Sequence, residues 1–298
     1  MKYPLIFITG LAFLINACRT PADIDLEDID DKIVLNSIYS PDSCIKIYLQ
    51  NQYSVLDGGR ADNPEYLKQA EVYLYEDNVP VDTLQHTIDA EYISEIYPKI
   101  GSKYSVDVHA QGYPSVHAED IVPETVPIDT VTYERFSYVY YHAYQHKIFI
   151  SFTDPPGKNY YMFYDIDSNG SQSTDPVIDE YKPKHGYNII FAFNDELFDG
   201  QTYELEIISN LSSYWNREEG AVLRYKLHSI SEEFYTFCKS VNAQSPKHTD
   251  DIFELYSSGI TEPVLIYSNV EDGLGIFGGY STAIDSLFIP GSDLINTP

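Results

Sequence analysis

The sequence predicts an all-β protein built as two β-sandwich-like domains, the larger carrying one short α-helix. Three observations carry that expectation. Tyr and Phe number 28 and 14 among 298 residues, and both types favour pleated, half-buried strands. Gly and Pro number 16 and 17 and fall as turn signals between short runs of alternating hydrophobicity. One stretch has clear helical spacing, near residues 231–241. A hydrophobic content of 43% is enough for packed cores, so the bulk of the chain is not disordered.

Charge narrows the function classes. Lys plus Arg is 18 and Asp plus Glu is 46, for a net charge of −28. Such a chain lacks the basic surface that displaces phosphate counterions, which argues against nucleic acid as a partner. It also opposes electrostatic adhesion to anionic lipid headgroups.

The N-terminus is expected to be a targeting segment. Residues 1–17 read as a lipoprotein signal peptide: Lys2 is a short positive region, and Leu5 to Ile15 form an apolar run too short to span a bilayer. Ile15-Asn16-Ala17-Cys18 then resembles a bacterial lipobox. Its logic is an aliphatic residue three before the Cys, a small residue just before it, and a thiol to be acylated. Asn16 is larger than the usual residue at its position. Two or three acyl chains such as palmitate on Cys18 would hold the protein stably at a membrane. Residues 18–31 read as an acidic tether, with Asp23, Asp25, Glu27, Asp28, Asp30 and Asp31 repelling one another. With Cys18 used by the anchor, Cys44 and Cys238 remain. Ile45, Ile47 and Leu49 alternate away from Cys44, and Cys238 lies on the apolar face of the helix, so two free thiols are expected.

The first sandwich is placed at residues 32–121. Its strand candidates are Ile33 to Leu35, Ser43 to Leu49, Ala70 to Glu76 before an Asp77-Asn78 turn, and Lys103 to His109 between Gly101 and Gly112. The order of the last two strands resembles transthyretin-like or carboxypeptidase-regulatory-like modules. Pro123 and Pro127 mark residues 122–128 as an extended linker. The second sandwich follows at 129–298. Strands are expected at Thr130 to Tyr141, Lys147 to Phe152, Tyr160 to Asp165, Tyr187 to Phe193, Tyr203 to Ile208 and Val222 to His228, with β structure again from Val264 to Pro290. The helix, Ser231 to Val241, has a Phe234, Phe237, Cys238, Val241 stripe, and Ser229 with Glu232 fits a capping box.

Four segments carry a resemblance: the run Ile150 to Tyr161 containing Asp154-Pro155-Pro156-Gly157, Asn194 to Gly200, the helix after Leu227-His228-Ser229, and Ser268 to Gly278. Their order resembles a family of uncharacterised Bacteroidota outer-membrane lipoproteins, a domain of unknown function often encoded beside TonB-dependent receptors. The resemblance covers the whole mature chain. It implies an outer-membrane, lipid-anchored protein on the periplasmic or cell-surface face, and it carries over no catalytic residue.

Candidate chemistry is thin. Asp165-Ile166-Asp167-Ser168-Asn169-Gly170 matches the first half of a calcium loop, making Asp165, Asp167 and Asn169 a calcium candidate. Pro176 stands where the loop needs a bidentate Glu, and a plain Asn-Gly hairpin turn explains the same residues. His142 and His146 are four apart, but their Tyr-rich surroundings suit a hairpin better than a metal-binding helix. Gly273 to Gly278 spells G-x-G-x-x-G without the strand-then-helix context of a dinucleotide site, so tight turns or close backbone approach explain it. Asp82-Thr83-Leu84, Asp129-Thr130-Val131 and Asp285-Ser286-Leu287 resemble short O-glycosylation sites of exported Bacteroidota proteins. No cofactor motif is present.

Most Tyr residues are expected to fill sheet faces. A dense group could instead form an amphipathic recognition surface, and Tyr138, Tyr140, Tyr141, Tyr160 and Tyr161 are the binding candidates. The expectation is a non-enzymatic accessory or ligand-binding lipoprotein of a TonB-dependent uptake system. Its second domain would supply most contacts, through Tyr138 to Tyr164 and Gly273 to Tyr280. The alternatives are a surface adhesion or structural lipoprotein and, further off, a glycan-active enzyme with a carboxylate pair.

Overall fold

The computed structural model describes residues 31–52, 66–138, 143–166, 174–177, 192–209, 218–244 and 265–294. The expected signal peptide, Cys18 and the tether up to Asp30 lie outside them.

The architecture is all-β, as the alternation predicts. In the first third, β1 (Ile33–Tyr39), β2 (Lys46–Asn51), β3 (Glu71–Glu76), β4 (Val79–Thr83), β5 (Gln85–His86), β6 (Glu91–Ile93), β7 (Lys103–His109) and β8 (Val116–Ile121) follow one another. Then come β9 (Ile128–Tyr138), β10 (Ala143–Thr153), β11 (Tyr160–Ile166), β12 (Thr174–Val177), β13 (Ala192–Asn194), β14 (Thr202–Ser209) and β15 (Ala221–Ile230). The helix α1 (Glu232–Gln244), β16 (Val270–Glu271), the 16-residue β17 (Leu274–Ile289) and a short 3-10 turn at Gly291–Asp293 are the last described elements.

Strand β17 organises the whole molecule. Its first part pairs in parallel with β1, from Val34↔Leu274 to Tyr39↔Gly279. Its second part pairs antiparallel with β15, from Ile230↔Tyr280 to Ala221↔Ile289. One eight-stranded sheet, ordered β13-β11-β15-β17-β1-β2-β6-β5, therefore serves as a layer of both sandwiches. The five-stranded sheet β16-β8-β7-β3-β4 lies over one half of it and the four-stranded sheet β12-β14-β10-β9 over the other.

Each half has its own core. Leu35, Ile47, Leu49, Val72, Val106 and Phe277 are among the buried residues of the first. Ile148, Ile150, Phe152, Tyr161, Leu205 and Leu227 are among those of the second. The halves are not consecutive stretches of chain, because Val270 and Phe277 from the C-terminal region complete the first core. Residues 122–128 are correspondingly not a solvated spacer: Val122 is buried in the first core and Val126 in the second.

Two local details differ from the sequence reading. The helix cap is Ser231, whose Oγ accepts the Phe234 N–H at 3.1 Å. Ser229 instead takes the Val126 N–H, at 3.2 Å. Strand β8 escapes the hydrophobic pattern because Asp120 occupies an inward position in phase with Val116 and Ala118. Cys44 and Cys238 are both free thiols, the second fully buried on the inner face of α1.

The Tyr surplus meets the acid surplus directly. Phenols donate to carboxylates: Tyr48 to Glu91 at 3.1 Å, Tyr73 to Glu71 at 2.9 Å, Tyr133 to Asp293 at 2.6 Å, and Tyr161 to Asp154. Hydrogen bonds to ionised acceptors are stronger than neutral ones. Burial together with the neighbouring carboxylate pushes the Tyr133 phenol up to about 12.

Candidate functional site

A cluster of three Asp residues joins two of the family-like motifs. The turn after β10, residues 154–159, lies against the turn before β14, residues 195–201. The backbones clasp directly, with Asp154 N–H to Gln201 O at 3.0 Å and Asp195 N–H to Asn159 O at 3.2 Å. Side chains complete the clasp. Asp195 Oδ2 accepts the Asn159 N–H at 2.7 Å, Asp199 Oδ1 accepts the Gly157 N–H at 2.9 Å, and Asp154 Oδ2 accepts the Gly200 N–H at 2.8 Å. Gly157 and Gly200 have φ of 116° and 69°, the left-handed region that an L side chain resists.

Asp154, Asp195 and Asp199 each bring one carboxylate oxygen within 4.8 Å of the others. Such an all-oxygen donor set suits a hard cation. Burial, and then the charges of Asp195 and Asp199, pushes the Asp154 carboxyl up, opposed by the hydrogen bonds from Tyr161 and Gly200. Beneath lies an aromatic nest: Phe198 stacks on Tyr203 with centroids 4.0 Å apart, and Phe152 sits 5.0 Å from Tyr161. These carboxylates hold backbone N–H groups, and their first job is to fix two loops.

Asp154 is 1% exposed, so losing the Tyr161 donor should be felt. Tyr161→Phe is expected to cost about 1–3 kcal/mol, the penalty for stranding a buried acceptor. Tyr48→Phe, at an exposed pair, should change stability by less than about 0.5 kcal/mol. Urea denaturation of both variants checks the contrast; equal losses would count against a buried Tyr161–Asp154 bond.

The candidate residues separate in the structure. Tyr161 is not at a surface: it is fully buried in the second core, because the inward phase of β11 points it at Phe152 and Phe193. Tyr160, in the opposite phase, stacks on Tyr235 of α1 at 4.8 Å, and its hydroxyl bonds to Glu232. Tyr138 ends β9, and nothing is described of its side chain; Tyr140 and Tyr141 lie outside the described residues. Of the calcium candidate, Asp165 is in β11 opposite Tyr225, while Asp167 and Asn169 lie outside the described residues. His146 is buried and donates from Nε2 to the Asp293 carbonyl at 3.0 Å, and burial lowers its pKa.

The run from Gly273 to Tyr280 lies largely inside the sheets, with Leu274, Gly275 and Tyr280 half-buried and the rest buried. A Cβ on Gly275 would lie 1.9 Å from Leu35 O, and one on Gly279 would lie 2.3 Å from Ile121 O. Thr83, Thr130 and Ser286 of the glycosylation-like triplets are all exposed, while Leu84 and Leu287 are buried.

The sequence reading missed the outer face of β15 and β17. Val222, Ile284 and Phe288 are 53%, 59% and 57% exposed there, with Val222 directly opposite Phe288 and Lys226 opposite Ile284. Arg224 and Lys226 share this face, and among the described residues neither makes an ion pair. Lys46, Lys99, Lys103 and Lys147 do, while Lys32, Lys68 and Lys158 also make none among the described residues. The missed signal was the Val222, Arg224, Lys226 alternation, a solvent face that keeps its cations in a strongly acidic chain.

Residues 19–285 match the model of a family described as a domain of unknown function (DUF4249). No curated protein matches the sequence.

Proposed function

We propose, given that the chain belongs to the DUF4249 family, that it is a non-enzymatic accessory or binding subunit held at the outer membrane through lipidated Cys18. The partner that the family resemblance suggests is a TonB-dependent receptor. The observation that supports a binding role is the outer face of β15 and β17. Large apolar side chains surround two cations there, Arg224 and Lys226, that have no ion-pair partner among the described residues. Exposed apolar groups beside charges that lack partners suit an interface with an acidic, partly apolar protein surface. Confinement to one membrane raises effective concentration, so a modest interface suffices.

The test is co-purification from solubilised outer membranes through a C-terminal tag. The receptor is expected to come with the wild-type chain. It should be lost from an Arg224→Glu, Lys226→Glu, Phe288→Ser variant whose melting temperature is unchanged. Recovery of the chain alone, under conditions that preserve other receptor–lipoprotein complexes, would favour the adhesion reading.

A further inference from the structure

Asp120 is a buried carboxylate at the meeting of β8, β17 and the start of α1. It lies on the inward phase of β8 and is 7% exposed. Three elements meet at it. Its Oδ2 takes the Ser231 hydroxyl from the start of α1 and the Gly279 N–H from β17, the latter at 2.8 Å. Its Oδ1 takes the N–H of Ile121 at 2.8 Å. The Ser231 N–H returns to Gly279 O at 3.2 Å, closing a ring of Asp120, Ser231 and Gly279. Ser231 Oγ is also the helix cap, so the first turn of α1 hangs on the same oxygen that touches Asp120.

Among the described residues no cation is bonded to this carboxylate. From α1, Glu233 faces it, and Glu233 itself holds the hydroxyl of Tyr267 from the segment before β16. Glu232 on the same helix acts on Tyr267 in the same sense. From β1, Tyr39 donates to the Asp120 main-chain oxygen at 3.1 Å, with Tyr104 of β7 edge-on behind it. From β17 the contact is backbone alone, at a glycine where a Cβ would collide with Ile121 O. Among the described residues no Lys, Arg or His is hydrogen-bonded to Asp120.

We propose that the Asp120–Ser231–Gly279 ring is a proton-operated clamp: with Asp120 protonated it holds the start of α1 against β8 and β17, and ionisation of Asp120 loosens that hold. The protonated acid keeps its bonds from Gly279 and Ile121 and donates its own proton to Ser231 Oγ, whose hydroxyl hydrogen then turns away from the acid. The ionised acid keeps three hydrogen-bond donors but has no cation bonded to it among the described residues and stands buried beside Glu233, a cost that water relieves by entering. That means lifting α1 from the junction.

Burial raises the Asp120 carboxyl from 3.8 to about 7, against the hydrogen bonds that favour its ionised form. The closed state thus binds the proton more tightly than an open, hydrated state. The clamp is firmest below the open-state value and weakens as pH rises towards the closed-state value. Linkage makes the open population grow roughly tenfold per pH unit between about 5 and 7, levelling off above about 8.

Hydrogen exchange of the full chain, corrected for intrinsic rates and read on peptides covering 232–244, tests this. Opening of the wild-type helix should follow that rise and plateau. Asp120→Asn, which cannot ionise, should show opening that is flat with pH; a purely structural role would change the level of exchange but not its slope. The same slope in both proteins would overturn the clamp. Should Asp120→Asn not fold, Glu233→Gln serves instead. Removing that charge should move the plateau to lower pH, and an unmoved plateau would overturn the proposal.

Discussion

Gly275→Ala is expected to prevent the chain from reaching its native state. Gly275 stands opposite Leu35 in the parallel ladder that joins β17 to β1. Its φ is +114°, and an added Cβ would lie 1.9 Å from the Leu35 carbonyl oxygen and 2.8 Å from its carbon. Both obstacles are backbone, so no side chain can swing away. The two strands must part, and with them the layer shared by both sandwiches. A loss of more than about 4 kcal/mol is expected, a large share of the stability of an ordinary domain. Gly112→Ala is the control. Its φ is +91°, but nothing lies within 4 Å of its Cβ, so only the backbone penalty of about 1–2 kcal/mol applies. Soluble yield and thermal melting by circular dichroism compare the two. Similar melting for both variants would contradict the β1–β17 register.

Cys18→Ala is expected to abolish membrane retention. In the proposed reading the acyl chains on that thiol are the whole anchor, each buried methylene contributing about 0.8 kcal/mol. No helix among the described residues is long and apolar enough to cross a membrane. The mutant should accumulate as an unprocessed precursor and lose incorporation of an alkyne fatty acid. Labelling that persists in the mutant would place the lipid elsewhere or nowhere. This test does not depend on the receptor, so the anchor and the partnership can fail separately.

Much of the fold was legible because strand alternation is a local property. The alternation in Glu71 to Glu76 and in Lys103 to His109, and the Phe234–Cys238 stripe, each announce an element without help from the rest of the chain. β8 was not legible, since the inward Asp120 breaks its hydrophobic phase, and that carboxylate makes sense only once Ser231 and Gly279 arrive from more than a hundred residues away. The candidate Tyr residues show the same limit. Tyr160 and Tyr161 are neighbours in sequence with equal claims on a binding surface. One stacks on α1 and the other is core, because adjacent strand residues point to opposite faces.

By itself, then, the sequence determined the β class, the helix after Ser231, the two free thiols, the acidic character and the positions of most turns. Each follows from composition or from periodicity over a few residues. The tertiary structure alone decided that β17 belongs to both sandwiches, that Gly273 to Tyr280 is largely interior, that Asp154, Asp195 and Asp199 converge, and that Arg224 and Lys226 face outward among Val222, Ile284 and Phe288. A period of two says which residues share a face. Which face is covered depends on strands distant in sequence, and only their packing settles it.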